Sequence, residues 1–142
     1  MNRRGMRRGG FTLVELLLVL VILATLAAIV VPKFAGRSEQ AKETAAQTQI
    51  SSISTALDAF EVDSGYYPKG QNALDELVEQ SKSARNWRGP YLKMAITNDP
   101  WGNPYVYQYP GKHNPSGYDL SSNGADGRAG GGDDITNWQS GR

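Results

Sequence analysis

The 142-residue sequence contains no cysteine and only one histidine, His113. Without cysteine the chain has no disulfide framework, no thiol nucleophile and no cysteine-ligated zinc site. His113 lies between Lys112 and Asn114 in a polar stretch, and we expect it to be a solvated loop residue. Because there is no serine–histidine–aspartate set, no phosphate-binding loop and no second histidine for a metal triad, the sequence does not predict an enzyme.

Most of the chain also lacks an excess of positive charge. The formal net charge is +1, from 15 basic and 14 acidic residues. Four of the basic residues are arginines within the first ten positions, and the remaining 11 basic residues against 14 acidic ones give −3. A nucleic-acid-binding face is therefore not expected. The length allows one small domain beside an apolar segment, which excludes a two-domain enzyme with a deep cleft.

The sequence does have one long apolar segment, residues 11–31, whose only polar residues are Thr12, Glu15 and Thr25. As a helix rising about 1.5 Å per residue it would span about 31 Å, close to the ~30 Å hydrocarbon core of a bilayer. The arginines before it would stay in the cytoplasm and direct the C-terminal part outward. A domain this small could not surround a core helix on all sides. A secretory signal cleaved after one of the alanines near the end of the segment is the other interpretation.

Glu15 is unusual because a carboxylate at the centre of a bilayer costs roughly 2.5–3.5 kcal/mol. One interpretation places it near the lipid headgroups, where the positive end of the helix dipole favours it. The other supposes that the chain is cut between Gly10 and Phe11, which creates an ammonium group one helical turn from Glu15. We hypothesise that this ammonium pairs with Glu15, in the same chain or in a neighbour, and selects one axial register between subunits.

Beyond the apolar segment the pattern predicts a continuing amphipathic helix. Pro32 and Gly36 predict a kink or a local break first. Apolar residues then recur at spacings of four, three, four and three, as on one face of a helix. They are Ala46, Ile50, Ile53, Leu57 and Phe60. We expect this stripe to pack on the protein's own sheet rather than on a partner helix or a membrane, and the helix to end near residue 62, before Gly65 and Pro68.

The second half of the chain predicts a small sheet with long loops. A short helix is expected over residues 73–83. Five of the seven prolines lie within residues 90–115, which excludes another long helix there. Alternation predicts strands over residues 105–109 and 118–122, paired antiparallel. The predicted fold class is therefore α+β, with one long helix packed on a small antiparallel sheet and with tyrosines and tryptophans in much of the packing.

Residues 123–134 form the one constellation that could bind a ligand. Asp126, Asp133 and Asp134 supply hard anionic oxygens, and the glycines among them allow backbone carbonyls to point inward. This combination suits a calcium shell of six to eight oxygens, although it lacks the ligand ladder and the final glutamate of an EF-hand. The residues leave a second interpretation open, in which Asp126-Gly127 forms a hairpin turn and the other acids are solvated.

The stretch Gly10-Phe11-Thr12-Leu13-Val14-Glu15, with its short basic leader, resembles the class III signal of type IV pilin-like proteins. The resemblance implies cleavage after Gly10 by a membrane prepilin peptidase, which also methylates Phe11, and it makes Glu15 the assembly carboxylate. It also implies three parts: a leader over residues 1–10, a transmembrane and assembly segment over residues 11–31, and a periplasmic domain over residues 32–142 that includes the amphipathic half of the helix.

Three further motifs resemble the major pseudopilins of type II secretion systems, and the similarity covers nearly the whole chain. They are Asp99-Pro100-Trp101-Gly102-Asn103-Pro104-Tyr105, Gly124-Ala125-Asp126-Gly127, and Asp133-Asp134-Ile135 followed by Asn137-Trp138. The resemblance implies a type IV pilin-like fold whose C-terminal loop is stabilised by one structural calcium ion.

The resemblance also implies the ligands of that calcium ion. Side-chain ligands would be Asp126, Asp133 and Asp134, and backbone carbonyls would come from Asn123, Arg128 and Gly131. The triple glycine 130–132 departs from the family pattern and predicts a more flexible loop with lower calcium affinity. Without calcium we expect a disordered C-terminus and a protease-sensitive subunit.

The implied function is structural. Such a subunit polymerises into a helical periplasmic filament that extends from the inner membrane and supports export of folded proteins across the outer membrane. The implied partners are further copies of the chain, minor pseudopilins, the prepilin peptidase, the inner-membrane assembly platform and, before assembly, the lipid bilayer, with no nucleic acid. One alternative is a major type IV pilus subunit, which the absence of cysteine and the Asp/Gly loop disfavour. Another is a monomeric, membrane-tethered calcium-binding module that keeps its leader.

Overall fold

A computed structural model of the chain describes residues 10–82 and 84–138, with the backbone alone for residues 31–35. The predicted leader therefore lies outside the described residues except for Gly10. The chain divides into two compact units, Met1–Glu39 and Gln40–Arg142. The elements are helix α1 (Leu13–Ser64), a 3₁₀ helix (Ala73–Leu77), and strands β1 (Val106–Gln108), β2 (Asp119–Ser122) and β3 (Ile135–Thr136). The predicted α+β class, a long N-terminal helix followed by a small antiparallel sheet, is confirmed.

The first part of α1 has no core of its own. Leu13–Val30 is the one helical segment among the described residues that is long and apolar enough to cross a membrane, and none of it is buried within the chain. Its leucines, isoleucines and valines are about half exposed or more. This apolar surface is therefore available to lipid or to other protein chains.

The helix continues through Pro32 and Gly36 without interruption. A kink or a local break was predicted there, and the helix shows no break. A proline removes only one backbone hydrogen bond of the ladder, at a cost of about 3 kcal/mol. Regular helix on both sides keeps all its other hydrogen bonds, so one missing bond does not end α1.

The second part of α1 supplies one wall of the core. All five residues of the predicted stripe are buried, none more than 4% exposed. They cluster with Leu77, Tyr118, Leu120 and Ile135 from the rest of the unit. The helix ends at Ser64, two residues beyond the prediction, where Gly65 adopts a positive φ of 78°. The predicted packing of the stripe on the protein's own sheet is confirmed.

The helix predicted over residues 73–83 is wrong in type and length. Only Ala73–Leu77 is helical, as a 3₁₀ helix. In an α-helix the carbonyl of Leu77 would accept a hydrogen bond from the N–H of Ser81. Instead it accepts from the N–H groups of Tyr91 and Leu92, at 2.8 and 3.1 Å. This long-range pairing diverts the backbone and stops the helix after Leu77.

The sheet has the order β1-β2-β3 and both pairs are antiparallel. Tyr107 of β1 lies opposite Leu120 of β2, and Ser122 of β2 lies opposite Ile135 of β3. The two predicted strands and their pairing are confirmed, each with shorter bounds. Strand β3 was not predicted, because two residues are too few to show an alternating pattern. It anchors the far end of the Asp/Gly loop to β2.

Tyrosine hydroxyls connect the sheet region to α1. Tyr67 donates to Asp58, Tyr91 to Asp63, Tyr105 to Gln49, and Tyr118 to the carbonyl of Ser54. Several of these rings also pack on the core, which confirms the predicted role of the tyrosines. Burial raises the pKa of Tyr105 to about 12, and burial followed by the nearby Asp58 carboxylate raises the pKa of Tyr67 to about 12.

Candidate processing, assembly and calcium sites

Gly10, Phe11 and Thr12 precede α1, and of these three only Thr12 takes part in its backbone hydrogen bonds, through a carbonyl that accepts the N–H of Leu16 at 3.2 Å. Gly10 is exposed, and Phe11 is 78% exposed. The peptide bond between Gly10 and Phe11 is therefore in non-helical, accessible backbone, a condition that a peptidase needs. Cleavage and methylation stay predictions.

Thr12 and Glu15 cap the start of α1 reciprocally. The N–H of Glu15 donates to Oγ1 of Thr12 at 3.2 Å, and the N–H of Thr12 donates to Oε2 of Glu15 at 3.5 Å. This is a capping box, which satisfies two backbone donors that the first turn otherwise leaves free. Thr12 is absent from the predicted site residues, although the Thr-x-x-Glu spacing is the signal that predicts such a cap. Glu15 thus has a partner within its own helix.

The Asp/Gly loop, residues 123–134, connects β2 to β3, and its two ends touch. Gly124 has a positive φ of 62°. A Cβ atom added there would lie 2.4 Å from the carbonyl oxygen of Asp133 and 2.6 Å from its Oδ2. Only glycine fits so close an approach, so the entrance of the loop packs directly against Asp133.

Asp126 and Asp133 converge within this loop. The N–H of Asp126 donates to Oδ2 of Asp133 at 3.0 Å. Both carboxylates border Gly131, where an added Cβ would lie 2.6 Å from Oδ1 of Asp133 and 3.0 Å from Oδ2 of Asp126. The N–H of Asp126 is the main group that holds the pKa of the Asp133 carboxyl below its ordinary value. The structure therefore brings two of the three predicted side-chain ligands together across a glycine.

Only one of the two carboxylate oxygens of Asp134 has a hydrogen-bond partner. Its Oδ2 accepts from the N–H of Gly130 at 2.7 Å, whereas Oδ1 is buried and has no hydrogen-bond partner. Within residues 10–82 and 84–138 no three histidine, cysteine or acidic side chains are grouped so as to hold a metal ion. A calcium ion would thus depend on two clustered carboxylates plus backbone carbonyls, which is a donor set of the right chemistry. The carbonyls of Asn123, Arg128 and Gly131 stay predicted ligands.

Three residues that contact the loop entrance or support it were not among the predicted site residues. Asn103 donates from Nδ2 to the carbonyl of Gly124 at 3.4 Å. Asp99 and Ser122 hydrogen-bond to each other beside the loop entrance, where both are buried. Asp99 and Asn103 belong to one of the motifs quoted above, but no sequence spacing indicates that Asn103 contacts the loop or that Asp99 reaches it through Ser122.

His113 is in a loop, as predicted, but it is not merely solvated. Its ring stacks on Trp138 at 4.2 Å, and Nδ1 lies 3.0 Å from Oδ2 of Asp119. The buried Asp119 carboxylate also accepts the N–H groups of Lys112, His113 and Asn114. Desolvation opposes ionisation of Asp119, but these hydrogen bonds outweigh it and lower its pKa. Asp119 attracts the donors of this loop and so places His113 beside it.

Comparisons with known proteins show the family to which the chain belongs. The family model "Type II secretion system (T2SS), protein G" matches residues 33–138, and the "Prokaryotic N-terminal methylation motif" matches residues 5–31. The type II secretion system core protein G of Pseudomonas aeruginosa is 46% identical over 145 residues, which cover 97% of this chain and 99% of that one. Its Escherichia coli K12 counterpart is 40% identical, with 93% of this chain and 92% of that one covered.

A solved structure matches as well. The major pseudopilin from the type 2 secretion system of enterohaemorrhagic Escherichia coli superposes with a TM-score of 0.63 at 29% identity, over 75% of this chain and 91% of that one. The long helix, the small antiparallel sheet and the N-terminal motif together define a pilin-like protein. The chain belongs to the type II secretion system protein G family. It is a pseudopilus subunit in type II secretion, as the resemblance implied.

Proposed function

We propose that the chain is cut between Gly10 and Phe11, methylated at Phe11, and polymerised into a helical filament that extends from the inner membrane into the periplasm. The observation that supports this most is the helix Leu13–Val30, which is apolar, unburied within the chain and coincides with the methylation motif. One surface would thus serve first as the membrane anchor and then as the filament core.

The transfer from lipid to filament gains little hydrophobic free energy, because the helix leaves one apolar environment for another. Register between subunits must therefore come from side-chain packing and from a polar pair. Glu15 and the new ammonium of Phe11 form that pair. Because Glu15 is already bonded to Thr12 in the unassembled chain, its carboxylate is satisfied before a neighbour arrives.

The remaining partners follow from this role. The prepilin peptidase processes the chain, the inner-membrane platform adds it to the filament, and minor pseudopilins share the filament with it. Energy for growth comes from a separate cytoplasmic ATPase, and the chain itself performs no catalysis and binds no nucleic acid. The filament supports export of folded proteins across the outer membrane.

The Asp/Gly loop is proposed to hold one structural calcium ion. Asp126 and Asp133 would provide the clustered carboxylates, Asp134 its unpaired oxygen, and Asn123, Arg128 and Gly131 their carbonyls. Calcium, when bound, neutralises these carboxylates and cross-links the loop. A small exported domain without disulfides gains most from such a cross-link. The buried, unpartnered Oδ1 of Asp134 and the glycine between the other two carboxylates support this proposal.

The intact mass of the protein, purified from its native host's membranes, tests the processing step. We expect the mass to lack residues 1–10 and to include one added methyl group. A mass that retains the leader would overturn the processing proposal and favour a membrane-tethered module. A mass that begins after Ala28 would show secretory cleavage instead and remove the filament core from the mature protein.

A further inference from the structure

A tight turn at residues 99–103, just before β1, is built around a buried carboxylate. Oδ1 of Asp99 accepts the N–H groups of Trp101 and Asn103, at 3.0 and 2.8 Å. The N–H of Asp99 donates to the carbonyl of Asn103 at 2.8 Å, which closes the turn. Asp99 itself is only 5% exposed. The turn is thus fixed internally, and so is the backbone from which the Asn103 side chain extends.

This turn fixes the backbone N–H and carbonyl of Gly124, the N–H through Ser122 and the carbonyl through Asn103. The hydroxyl of Ser122 donates to Oδ2 of Asp99 at 2.5 Å, and its oxygen accepts the N–H of Gly124 at 3.2 Å. The amide of Asn103 donates to the Gly124 carbonyl at 3.4 Å. Asn103 also lies against Gly127, where an added Cβ would be 3.3 Å from its Nδ2. Two separate contacts therefore fix the loop entrance.

The position of Gly124 determines that of Asp133. The two residues approach so closely that no side chain fits at Gly124, and the carboxylate of Asp133 is the acceptor for the N–H of Asp126. Any shift of Gly124 must therefore move Asp133 or open a gap beside it. Either change alters the spacing between the Asp126 and Asp133 carboxylates.

We propose that Asn103 and the Asp99–Ser122 pair are positioning residues, which hold the loop entrance so that Asp126 and Asp133 are spaced to share one cation. The effect on calcium affinity rests on the proposed calcium role; the ordering of the loop does not. Groups that orient metal ligands from behind typically account for 10–100-fold in metal affinity. The expected loss on removal of the Asn103 amide is about tenfold.

Asn103→Ala and Ser122→Ala are the test variants, and Asn98→Ala is the matched control. The amide of Asn98 also donates to a backbone carbonyl, that of Gly102 at 2.8 Å, but this carbonyl belongs to the turn and not to the Asp/Gly loop. Each full-length protein is purified in detergent and stripped of metal with a chelator. Calcium affinity is measured by calorimetry, and the thermal midpoint is measured with and without calcium chloride.

We expect Asn103→Ala to bind calcium about tenfold more weakly, while Asn98→Ala binds like the unmodified chain. The calcium-induced rise in midpoint should shrink in Asn103→Ala, because the stabilisation by a bound ligand grows with the logarithm of its affinity. A purely structural role would lower both midpoints equally and leave that rise unchanged, which would overturn the proposal. Ser122→Ala should show the same pattern as Asn103→Ala. Unchanged calcium affinity in both test variants would also overturn the proposal.

Hydrogen exchange separates this inference from the calcium proposal. The N–H groups of Asp126, Arg128 and Gly130 donate to carboxylates within the loop, so their exchange rates in calcium-free protein report how well the loop is held without the ion. We expect faster exchange at these amides in Asn103→Ala than in Asn98→Ala. If the unmodified chain binds no calcium, the calcium role fails, yet faster exchange still supports positioning. Equal exchange in both variants would refute positioning whether or not calcium binds.

Discussion

Thr12 and Glu15 hydrogen-bond to each other in both directions across the first turn of α1. Glu15 therefore has two separable properties, since it caps the helix and it carries a charge. Glutamine at this position retains the cap but not the charge, whereas alanine loses both. The two substitutions distinguish a helix-starting role of Glu15 from a charge-pairing role in assembly.

We expect Glu15→Gln to insert in the membrane normally but to assemble poorly, because a neutral amide cannot neutralise the Phe11 ammonium. Thr12→Ala, the control, keeps the charge and should weaken the cap by about 0.5–2 kcal/mol. The share of subunit in sheared filaments, relative to membranes, measures assembly. Filament yields from Glu15→Gln equal to those of the unmodified chain would show that the cap, not the charge, is what assembly needs.

Gly131 and Gly132 are neighbours in the loop, but only the first should be sensitive to replacement by alanine. At Gly131 a methyl group would lie 2.6 Å from Oδ1 of Asp133, whereas at Gly132 nothing lies within 4 Å. Gly131→Ala should therefore weaken calcium protection against protease, and Gly132→Ala should not. Rates of proteolysis with calcium and with chelator measure this. Equal resistance of the unmodified chain in both conditions would contradict the calcium proposal itself.

Leu57 on α1 is fully buried in the core, whereas Val62, five residues later, is 79% exposed. Leu57→Ala removes buried methyl groups and leaves a cavity, so the free energy of unfolding should fall by about 2–5 kcal/mol. Val62→Ala should change it by no more than about 0.5 kcal/mol. Denaturant unfolding followed by tryptophan fluorescence provides both values. Similar losses in the two variants would mean that α1 does not pack as described.

Acid should destabilise the fold partly through Asp119. Its pKa is lower in the folded chain than in the unfolded chain, so the stability it contributes is present above the unfolded value and lost as pH falls through the folded one. Asp119→Asn should lower the thermal midpoint at neutral pH and flatten its decline in acid. Asp75→Asn, at an exposed carboxylate, is the control. Parallel declines for Asp119→Asn and the unmodified chain would argue against this role.

Alkali should destabilise the fold through Tyr67 and Tyr105, whose pKa values are raised from 10.0 to about 12. Above pH 10 the unfolded chain releases these protons and the folded chain keeps them, so stability falls as pH rises. Tyr67→Phe removes one such proton and should reduce the steepness of that fall. Tyrosinate absorbance and thermal midpoints together report it. An unchanged pH dependence in Tyr67→Phe would contradict the raised pKa of the Tyr67 hydroxyl.

The helical part of the fold was predictable because its signals are local. The stripe from Ala46 to Phe60 repeats often enough to define both the helix and its buried face. The length predicted for the helix that begins at Ala73 was wrong. The helix ends early because Tyr91 and Leu92, which are distant in sequence, donate hydrogen bonds to the carbonyl of Leu77. Sequence periodicity reports the hydrogen bonds a segment can form with itself, not those taken by a distant strand or loop.

Some residues of the candidate site were likewise predictable from the sequence, whereas others were not. Asp126 and Asp133 were predictable from composition, since acids among glycines suggest hard ligands on a flexible backbone. Their convergence on Gly131 depends on the return of the chain through β3, which has no pattern in two residues. Asn103 was missed because its contact with Gly124 joins residues 21 positions apart. Only the folded chain places them side by side.

The hydroxyls of Tyr67, Tyr91, Tyr105 and Tyr118 hold the sheet region to α1 without any pairing of opposite net charges. Dissolved salt weakens attraction between ions, over a distance of about 8 Å at physiological ionic strength, but it acts little on a hydrogen bond from a neutral donor. In the proposed periplasmic location, the surrounding ion content follows that of the cell's environment. The phenol contacts to α1 should therefore persist in fresh water and in brine alike.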